Sequence, residues 1–337
     1  MKKRQLTIKD IAKALQISPS TVSRSLADHP DISDETKAMV NRYAREHKYK
    51  PNALATSLRT NKNKAIGVIL PQIVHFYFSS VLSGIEDVAE KRGYRIIVSH
   101  SNEEYSKEVK GAQVLQEARV CGVLASVAKS TEQYDHFLEL IDSDIPVVFF
   151  DRICTGILTD RVVVDDYAGA LSAVDYLIKT GCRRIALLGS TTQLAISNNR
   201  RMGYEDALRK NGLPVDPNLM IMCDNFNDAL DITPRLLSIA NPPDAFFAVN
   251  DETAIGVMNA VKSFGLRIPD DVSVCGFTNN SITEFCDPTL TSVDQHGYEV
   301  GETAMSLLID RIEGKRMEQN IVSKIIKTKL VVRGSTR

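Results

Sequence analysis

The sequence predicts a small all-helical domain at the N-terminus, followed by a larger α/β body with doubly wound parallel sheets. Two patterns support this fold class. Within the first 50 residues, three short amphipathic helix patterns each follow a capping residue. From residue 64 onward, buried-type strands alternate with helices through short loops, which is typical of parallel sheets covered by helices. The strands are numerous enough for two such sheets.

The N-terminal helices have recognisable starts. Thr7 and Asp10 form a start similar to a capping box, and Ser18 caps a second helix over Pro19–Leu26. A third helix is predicted over Asp34–His47, with the terminal histidine on its buried face. Two short helices joined by a tight turn, with a third helix closing the core, predict a helix-turn-helix domain.

The second helix carries the side chains best suited to contact DNA. Such a helix enters the major groove with its N-terminal residues at the base edges. Arg24 has the planar fork that can donate to O6 and N7 of guanine. Thr7, Thr21 and Ser23 offer short hydroxyl groups suited to phosphates, which position a protein without specifying sequence. On the helix pattern alone, a generic three-helix bundle remains the alternative.

The charge is distributed unevenly along the 337 residues. The net charge of −1 combines a basic N-terminal part with an acidic remainder. Residues 1–63 carry 13 Lys and Arg against 6 Asp and Glu, whereas the rest carries 28 against 36. A basic domain on an acidic body is typical of a phosphate-binding unit attached to a soluble partner. A basic surface that is merely solvated is the alternative.

Composition argues against several other classes of protein. No apolar run approaches the length of a membrane span, and the basic N-terminus lacks the apolar core of a secretory signal. Six scattered cysteines without a C-x-x-C pair indicate reduced cytoplasmic thiols and neither a disulfide framework nor a metal site. No G-x-G-x-x-G follows the first strand, and neither a P-loop nor a local nucleophile motif is present. We therefore expect a cytoplasmic protein without cofactor, metal or catalytic activity.

The segment of residues 51–63 joins the two parts and has helical features of its own. Asn52 can cap a helix of about two turns, in which Leu54 and Leu58 share one face. Two turns are too short to hold a helix in water, so the segment is expected to fold only against another surface. We interpret that surface as DNA; packing on the α/β body is the alternative.

Ligands of open parallel sheets bind beyond the carboxyl ends of the strands. Several strands of the body are followed there by aromatic, amide and charged residues. These groups suit a polyhydroxylated ligand, because charged forks bond hydroxyls in pairs while aromatic faces cover the apolar side of a sugar ring. Local capping or pairing is the alternative for each residue taken singly. The first of these residues are His75, Phe76, Tyr77 and Phe78, which we place in a loop before a helix that begins at about Ser79. The others are Asp151, Arg152, Ser197, Asn198, Asn199, Arg200, Asn250, Asp251, Thr278, Asn279 and Asn280.

The N-terminal motifs T-I-x-D-I-A, S-x-x-T-V-S-R, I-S-x-x-T and Y-x-P-N-x-x-A-x-x-L resemble the DNA-binding region of the LacI/GalR family of bacterial transcription regulators. The resemblance implies that Pro19 and Ser20 set operator preference together with Arg24. It also implies a hinge helix that forms on the operator and contains Asn52, Ala55 and Leu58. Leu58 would enter the minor groove as an apolar wedge, which unstacks base pairs and kinks the duplex.

The resemblance extends over the body, through motifs such as N-D-x-x-A-x-G and I-P-x-D-V-S-V-x-G-F. It implies a two-lobed fold similar to periplasmic sugar-binding proteins, with an effector between the lobes. Thr278 stands where the family usually has Asp, and Leu194 and Ile196 argue against a purine effector. The candidate effector-binding residues are Tyr77, Phe78, Asp151, Arg152, Asn198, Arg200, Phe226, Asp251 and Thr278.

These expectations define a domain plan. The DNA-binding domain would span residues 1–50, the hinge helix and linker 51–63, and the effector domain 64–337. The N-lobe would comprise residues 64–163 and 293–321, and the C-lobe 164–292 and 322–337. The absence of further apolar heptads after the last strand favours a dimer over a tetramer.

The resulting functional hypothesis is a homodimeric repressor of carbohydrate-use genes that binds a pseudo-palindromic double-stranded DNA operator. A small-molecule effector, expected to be a carbohydrate, would control it from the cleft. Control by a corepressor ligand or a protein partner remains an alternative, and a solute-binding protein is a more distant one.

Overall fold

The computed structural model describes residues 6–49, 64–74, 76–190, 194–315 and 320–337. Its internal contacts divide the chain into two units, Met1–Asn63 and Lys64–Arg337. The predicted hinge residues Asn52, Ala55 and Leu58 lie outside the described residues, as does His75. No helix among the described residues is long and apolar enough to cross a lipid bilayer.

The first unit contains the three predicted helices, α1 (Ile8–Leu15), α2 (Pro19–Leu26) and α3 (Asp34–Glu46). The three predicted caps are present. The Thr7 and Asp10 side chains bond reciprocally to each other's backbone amides, and Ser18 and Ser33 accept from the amide three residues ahead. The helices enclose a small core whose fully buried members are Ile11, Ala12, Val22 and Val40.

The turn after α1 and the exposure of His47 are two further features of the first unit. Gln16 follows the last residue of α1, and its backbone adopts the left-handed conformation (φ 55°) that makes the tight turn into α2. His47 is exposed, although it was predicted to lie on the buried face of α3. Its ring stacks on that of Tyr43 at the helix end, with 4.0 Å between centroids. This stacking covers one face of the His47 ring, although the residue as a whole stays exposed.

The N-lobe is built on a six-stranded sheet in which every pair is parallel. The strand order is β11-β5-β4-β3-β1-β2. Its strands are β1 (Ala65–Leu70), β2 (Arg95–His100), β3 (Val123–Ala125), β4 (Val147–Phe150), β5 (Arg161–Val164) and β11 (Ser323–Ile326). Its helices are α4 (Phe76–Lys91), α5 (Tyr105–Glu117), α6 (Asp135–Asp142) and α12 (Gly297–Ile312).

The C-lobe contains a second six-stranded sheet of order β12-β10-β9-β8-β6-β7, parallel except for the edge strand β12. Its strands are β6 (Ile185–Gly189), β7 (Met220–Met222), β8 (Ala245–Ala248), β9 (Ser273–Thr278), β10 (Thr291–Asp294) and β12 (Lys329–Val331). Its helices are α7 (Asp166–Lys179), α8 (Ala195–Lys210), α9 (Phe226–Leu237), α10 (Asp251–Ser263) and the short α11 (Ile282–Phe285), with a 3-10 turn at Pro217–Leu219.

The predicted fold class of a helix-turn-helix unit and a two-lobed parallel-sheet body is confirmed, with two lobe boundaries corrected. The sequence began the second N-lobe segment at residue 293, but β10 extends to Asp294 within the C-lobe sheet. The sequence assigned residues 322–337 to the C-lobe. However, β11 pairs with β5 in the N-lobe sheet, so the chain crosses to the C-lobe only after Ile326. The start of the helix after β1 also differs from the prediction, because α4 begins at Phe76 and not near Ser79. The aromatic residues Tyr77 and Phe78 therefore lie in the first turn of a helix.

Candidate functional site

The N-terminal unit presents α2 as its candidate nucleic-acid interface. Pro19, Ser20 and Arg24 are exposed along this helix, while Thr21 is half-buried and its hydroxyl bonds to that of Ser18. Ser23 is only 9 % exposed, so it is less available to a phosphate than its position in the sequence indicated. The buried residues hold α2 in place, and the exposed ones are left for recognition.

Arg24 is the one cationic residue of α2, and its side chain is weakly constrained. Its guanidinium comes no closer than 4.0 Å to the carboxylate of Asp31, and both side chains are more than half exposed. A surface contact of this kind contributes little to stability, so the donors of Arg24 remain available to a base edge. Thr7, by contrast, already uses its hydroxyl in the capping box, where it donates to Asp10 at 2.6 Å.

The second candidate site is a cavity of about 320 Å³ between the two lobes. It lies at the carboxyl ends of the strands of both sheets, where the sequence placed the ligand. Six of the nine predicted residues line the cavity or its wall in this structure. Five of them are Tyr77, Phe78, Arg152, Arg200 and Thr278, and the sixth is the buried Asp151.

The N-lobe wall combines two aromatic rings with an acid and a base. Tyr77 and Phe78 meet edge to face at 5.4 Å between ring centroids, and the Arg152 guanidinium lies over Phe78 at 5.6 Å. The buried Tyr77 hydroxyl and Arg152 Nε have no hydrogen-bond partner among the described residues. Unpaired buried polar atoms are costly, so both atoms are prepared to bond a ligand.

Asp151 follows β4 and reaches the cavity through a left-handed backbone conformation (φ 57°), which is uncommon for a residue with a side chain. Burial raises the pKa of its carboxyl group, and the nearby Arg152 and Arg200 offset part of that effect. Burial beside Asp151 likewise raises the pKa of the Tyr77 hydroxyl well above its usual value. Tyr77 is therefore a neutral hydroxyl group at physiological pH.

Arg200 forms the C-lobe wall and is fixed by its own lobe. Its Nε donates to Asp166 and its Nη1 to the carbonyl of Val249, at 2.7 and 2.6 Å. The guanidinium also stacks on Phe277 at 4.0 Å. Burial raises the pKa of Asp166, and the ion pair with Arg200 opposes this shift. These contacts orient Arg200 rigidly toward the cavity.

The strand end at Thr278 is also fixed by neighbours. Thr278 is the last residue of β9, and its hydroxyl donates to Oε1 of the buried Gln295 at 3.0 Å. Its backbone φ of 132° lies in a region that L-residues rarely adopt. Thr278 therefore contributes to the shape of the wall, and Gln295 beside it offers an amide.

Three predicted residues do not line the main cavity. Phe226 and Asp251 line an adjacent cavity of about 380 Å³, together with Thr278, and Asn198 lines neither. Asp251 is buried, and its two oxygens accept bonds from Ser292 Oγ at 2.5 Å and the Asn280 amide at 2.7 Å. These bonds make Asp251 a support for the β9 and β10 ends, which explains its displacement from the cavity.

The cavity also contains polar residues that the sequence did not lead us to select: Glu103, Lys129, Ser190, Asp224 and Gln295. Each follows the end of a β-strand, so the rule that directed attention to Asp151 applies to them equally. Glu103 and Lys129 lie three and four residues beyond the ends of β2 and β3, whereas the prediction considered residues directly after a strand. Among the described residues, no group of His, Cys, Asp or Glu side chains could hold a metal ion.

A basic helix-turn-helix unit and a two-lobed body with a polar cleft, joined in one chain, define a DNA-binding regulator with a ligand-binding domain. Comparison with known families agrees. Residues 7–52 match the model of the bacterial regulatory proteins of the lacI family, and residues 174–336 match the periplasmic binding protein-like domain.

The chain belongs to the LacI family of bacterial transcriptional regulators. It is 31 % identical over 332 residues to the HTH-type transcriptional repressor CytR of Escherichia coli (strain K12), covering 98 % of this chain and 96 % of that protein. The family predicted from the sequence is thereby confirmed, as is the function of a DNA-binding transcriptional regulator.

Two solved structures illustrate the fold. A LacI family transcriptional regulator from Enterococcus faecium with bound ribose has a TM-score of 0.72 at 28 % identity, covering 81 % of this chain and 98 % of that one. The lac repressor dimer bound to operator and the anti-inducer ONPF has a TM-score of 0.86 at 22 % identity, covering 99 % of both chains. The second likeness concerns the fold alone.

Proposed function

We propose that this regulator is a homodimeric repressor of carbohydrate-use genes whose operator affinity is controlled by a small carbohydrate in the cleft. It performs no catalytic step. Two protomers related by a two-fold axis read a pseudo-palindromic operator, because the symmetry of the protein matches that of its site. Arg24 reads a base edge, Pro19 and Ser20 set preference beside it, and Leu58 acts in the minor groove.

The single observation that supports a carbohydrate is the composition of the cavity wall. Aromatic rings at Tyr77 and Phe78 stand beside Asp151, whose carboxylate accepts, and Arg152 and Arg200, whose guanidinium groups donate. Sugars present hydroxyl groups around an apolar ring face, so this mixture matches both parts of the ligand. The bound ribose of the E. faecium relative is consistent with this class.

Control follows from the position of the site between the lobes. A ligand that bonds to both walls favours one relative pose of the lobes, and it can shift DNA affinity only by its differential affinity for the two poses. An inducer would favour the pose that separates the paired hinge segments of residues 51–63. A corepressor would also contact both walls of the cleft, but it would favour the opposite pose of the lobes.

Two measurements test the proposal. Selection of duplexes from a random library identifies the operator, and a thermal-shift screen of sugars, sugar phosphates and nucleosides identifies the ligand by its rise in melting temperature. The ligand should then change operator affinity. Arg152→Ala should abolish that response without weakening operator binding, while Arg201→Ala, outside the cavity on α8, should leave both intact.

Failure to select any operator would contradict the DNA-binding assignment. An operator without any small-molecule response would instead indicate a protein partner as the controlling molecule. An unchanged response of the Arg152→Ala variant would remove Arg152 from the ligand site.

A further inference from the structure

We propose that the cleft accepts an uncharged ligand and excludes phosphorylated or acidic sugars, and that Glu103 sets this selectivity by neutralising Arg152. The inference rests on the proposed function in placing the effector in the cleft. It adds the charge of the ligand and a specificity-determining residue.

Arg152 is the cation that a phosphate entering the N-lobe side would need. Its Nη1 already donates to both carboxylate oxygens of Glu103, each at 2.8 Å. The two side chains are only 11 % and 19 % exposed, so water screens the pair poorly. An anion would have to displace Glu103 or accept its repulsion at close range.

Moving Glu103 away from Arg152 would cost free energy, because other contacts hold it in place. Its Oε2 also accepts from the backbone amide of Lys129 at 2.8 Å, and its carbonyl oxygen accepts from Ser130 Oγ at 2.8 Å. Asn102 and Glu103 both adopt left-handed backbone conformations, with φ of 50° and 63°. The turn after β2 is thus held in an uncommon shape that points the carboxylate at Arg152.

The other two cations of the cavity are paired as well. Lys129 Nζ lies 2.5 Å from Asp224, and Arg200 donates to Asp166 at 2.7 Å. Both partners are carboxylates of the C-lobe. Each of the three cations described in the cavity wall therefore has its own carboxylate, and none is left to neutralise an anionic ligand.

The groups left over suit an uncharged ligand. Glu252 lines the cavity without an ion pair among the described residues, and the buried Asp151 lies 4.0 Å from Arg152, a cation that Glu103 already neutralises. The Tyr77 hydroxyl and Arg152 Nε are donors without a hydrogen-bond partner in the part of the chain that the structure describes. A neutral hydroxyl group can donate to a carboxylate and accept from these donors without adding charge, whereas the carboxylate of an acidic sugar can only accept. A phosphate group would bring negative charge beside Glu103, Asp151 and Glu252.

One feature favours anions. α8 begins at Ala195 beside the cavity without a side-chain cap, and the free amides of a helix N-terminus attract negative charge. Inorganic phosphate is therefore a stringent probe, because it can find either this helix end or Arg152.

The test uses the full chain and measures the melting temperature in inorganic phosphate against sodium chloride of equal ionic strength. The variants are Glu103→Gln, Arg152→Gln, the double variant, and the control Glu104→Gln. Glu104 is the adjacent residue, exposed and paired with Lys107 outside the cavity. General salt effects and phosphate binding to the N-terminal unit are common to all variants and cancel.

We expect phosphate to act equally on the wild type, Arg152→Gln and Glu104→Gln. In Glu103→Gln, the unpaired Arg152 should bind phosphate, giving an additional rise of about 3 °C at saturating concentrations. The double variant should lose this rise. Equal behaviour of Glu103→Gln and Glu104→Gln would overturn the role of Glu103.

Two further results would overturn the inference, and neither depends on Glu103→Gln folding. Phosphate could stabilise the wild type more than Arg152→Gln, which would place the anion on Arg152. Phosphate could also stabilise both the wild type and Arg152→Gln, with an effect that Ser197→Glu at the start of α8 removes. That result would place the phosphate at the helix end. Loss of the proposed function would appear separately, as the absence of an operator or of any ligand response.

Discussion

Lys129 and Asp224 form an ion pair that joins the two lobes across the cleft, with 2.5 Å between Nζ and Oδ2. Lys129 follows β3 in the N-lobe, and Asp224 follows β7 in the C-lobe. Ser190 of the C-lobe donates to the same carboxylate oxygen at 2.5 Å. Burial raises the pKa of Asp224, but the hydrogen bonds from Lys129 and Ser190 outweigh it and lower the pKa below its ordinary value. The pair is therefore charged and stabilises this relative pose of the lobes.

A double-mutant cycle of Lys129→Met and Asp224→Asn should reveal this link. We expect a coupling free energy of about 1 kcal/mol between the two changes, because the pair is only partly exposed and one partner is fixed by Ser190. The measurement is the urea midpoint of the ligand-free chain. The control cycle, Lys179→Met with Asp175→Asn, concerns a pair within α7 and should show smaller coupling. Equal coupling in both cycles would contradict a special link between the lobes.

Local signals in the sequence were sufficient for most elements and for much of the cleft. The caps at Thr7, Ser18 and Ser33 fixed the starts of the three N-terminal helices, because each side chain bonds an amide a few residues away. Asp151 and Arg152 were found because the carboxyl ends of parallel strands meet at one edge. In both cases the information lies within one element or follows from the sheet type.

Features that depend on distant parts of the chain could not be predicted in the same way. The Lys129–Asp224 pair spans 95 positions, and nothing near either residue indicates the other. β5 and β10 were not predicted as strands. β10 buries Thr291 and Ser292 in place of apolar side chains. Burial of such hydroxyl groups depends on partners, such as Asp251, that only the folded lobe supplies.

Replacing Arg24 with Ala should change sequence preference at one base pair of the operator. Loss of a fork that bonds a guanine edge costs roughly tenfold to a hundredfold in affinity for the preferred base. The unfolding midpoint should hardly change, because Arg24 is exposed and its only ion pair within the described residues is at 4.0 Å. Duplex selection before and after the substitution measures the preference. As a control, Arg42→Ala on α3 should weaken binding uniformly or not at all. An unchanged preference for Arg24→Ala would rule out the base contact.

Replacing Gly301 with Ala should destabilise the N-lobe by about 2 kcal/mol, because α4 and α12 pack too closely for a side chain there. A methyl group on Gly301 would overlap the backbone carbonyl of Val81 on α4, and backbone cannot turn away as a side chain can. The urea midpoint measures the effect. Gly156→Ala in the same lobe is the matched control, since its methyl group would meet nothing closer than Tyr134 at 3.8 Å. Equal midpoints for the two variants would contradict the close approach of the helices.

Replacing Asp251 with Asn should change how the stability of the protein depends on pH. Burial raises the pKa of Asp251 from 3.8 to about 6, although bonds from Ser292 and the Asn280 amide lower it in part. The folded protein thus holds this proton where the unfolded chain has lost it. The contribution to the free energy of unfolding is complete below pH 3.8 and disappears as pH rises through 6.

Relative to the Asp251→Asn variant, the wild type should therefore gain about 1 kcal/mol when pH falls from about 7 to about 5. Urea midpoints of both proteins at the two pH values measure this difference. Comparing the two proteins cancels the titration of all the groups that they share. Asp287→Asn, at a fully exposed carboxylate, should show no such change. A constant difference between wild type and Asp251→Asn would mean that Asp251 stays ionised throughout. Its bonds to Ser292 and Asn280 would then outweigh the cost of burying the charge.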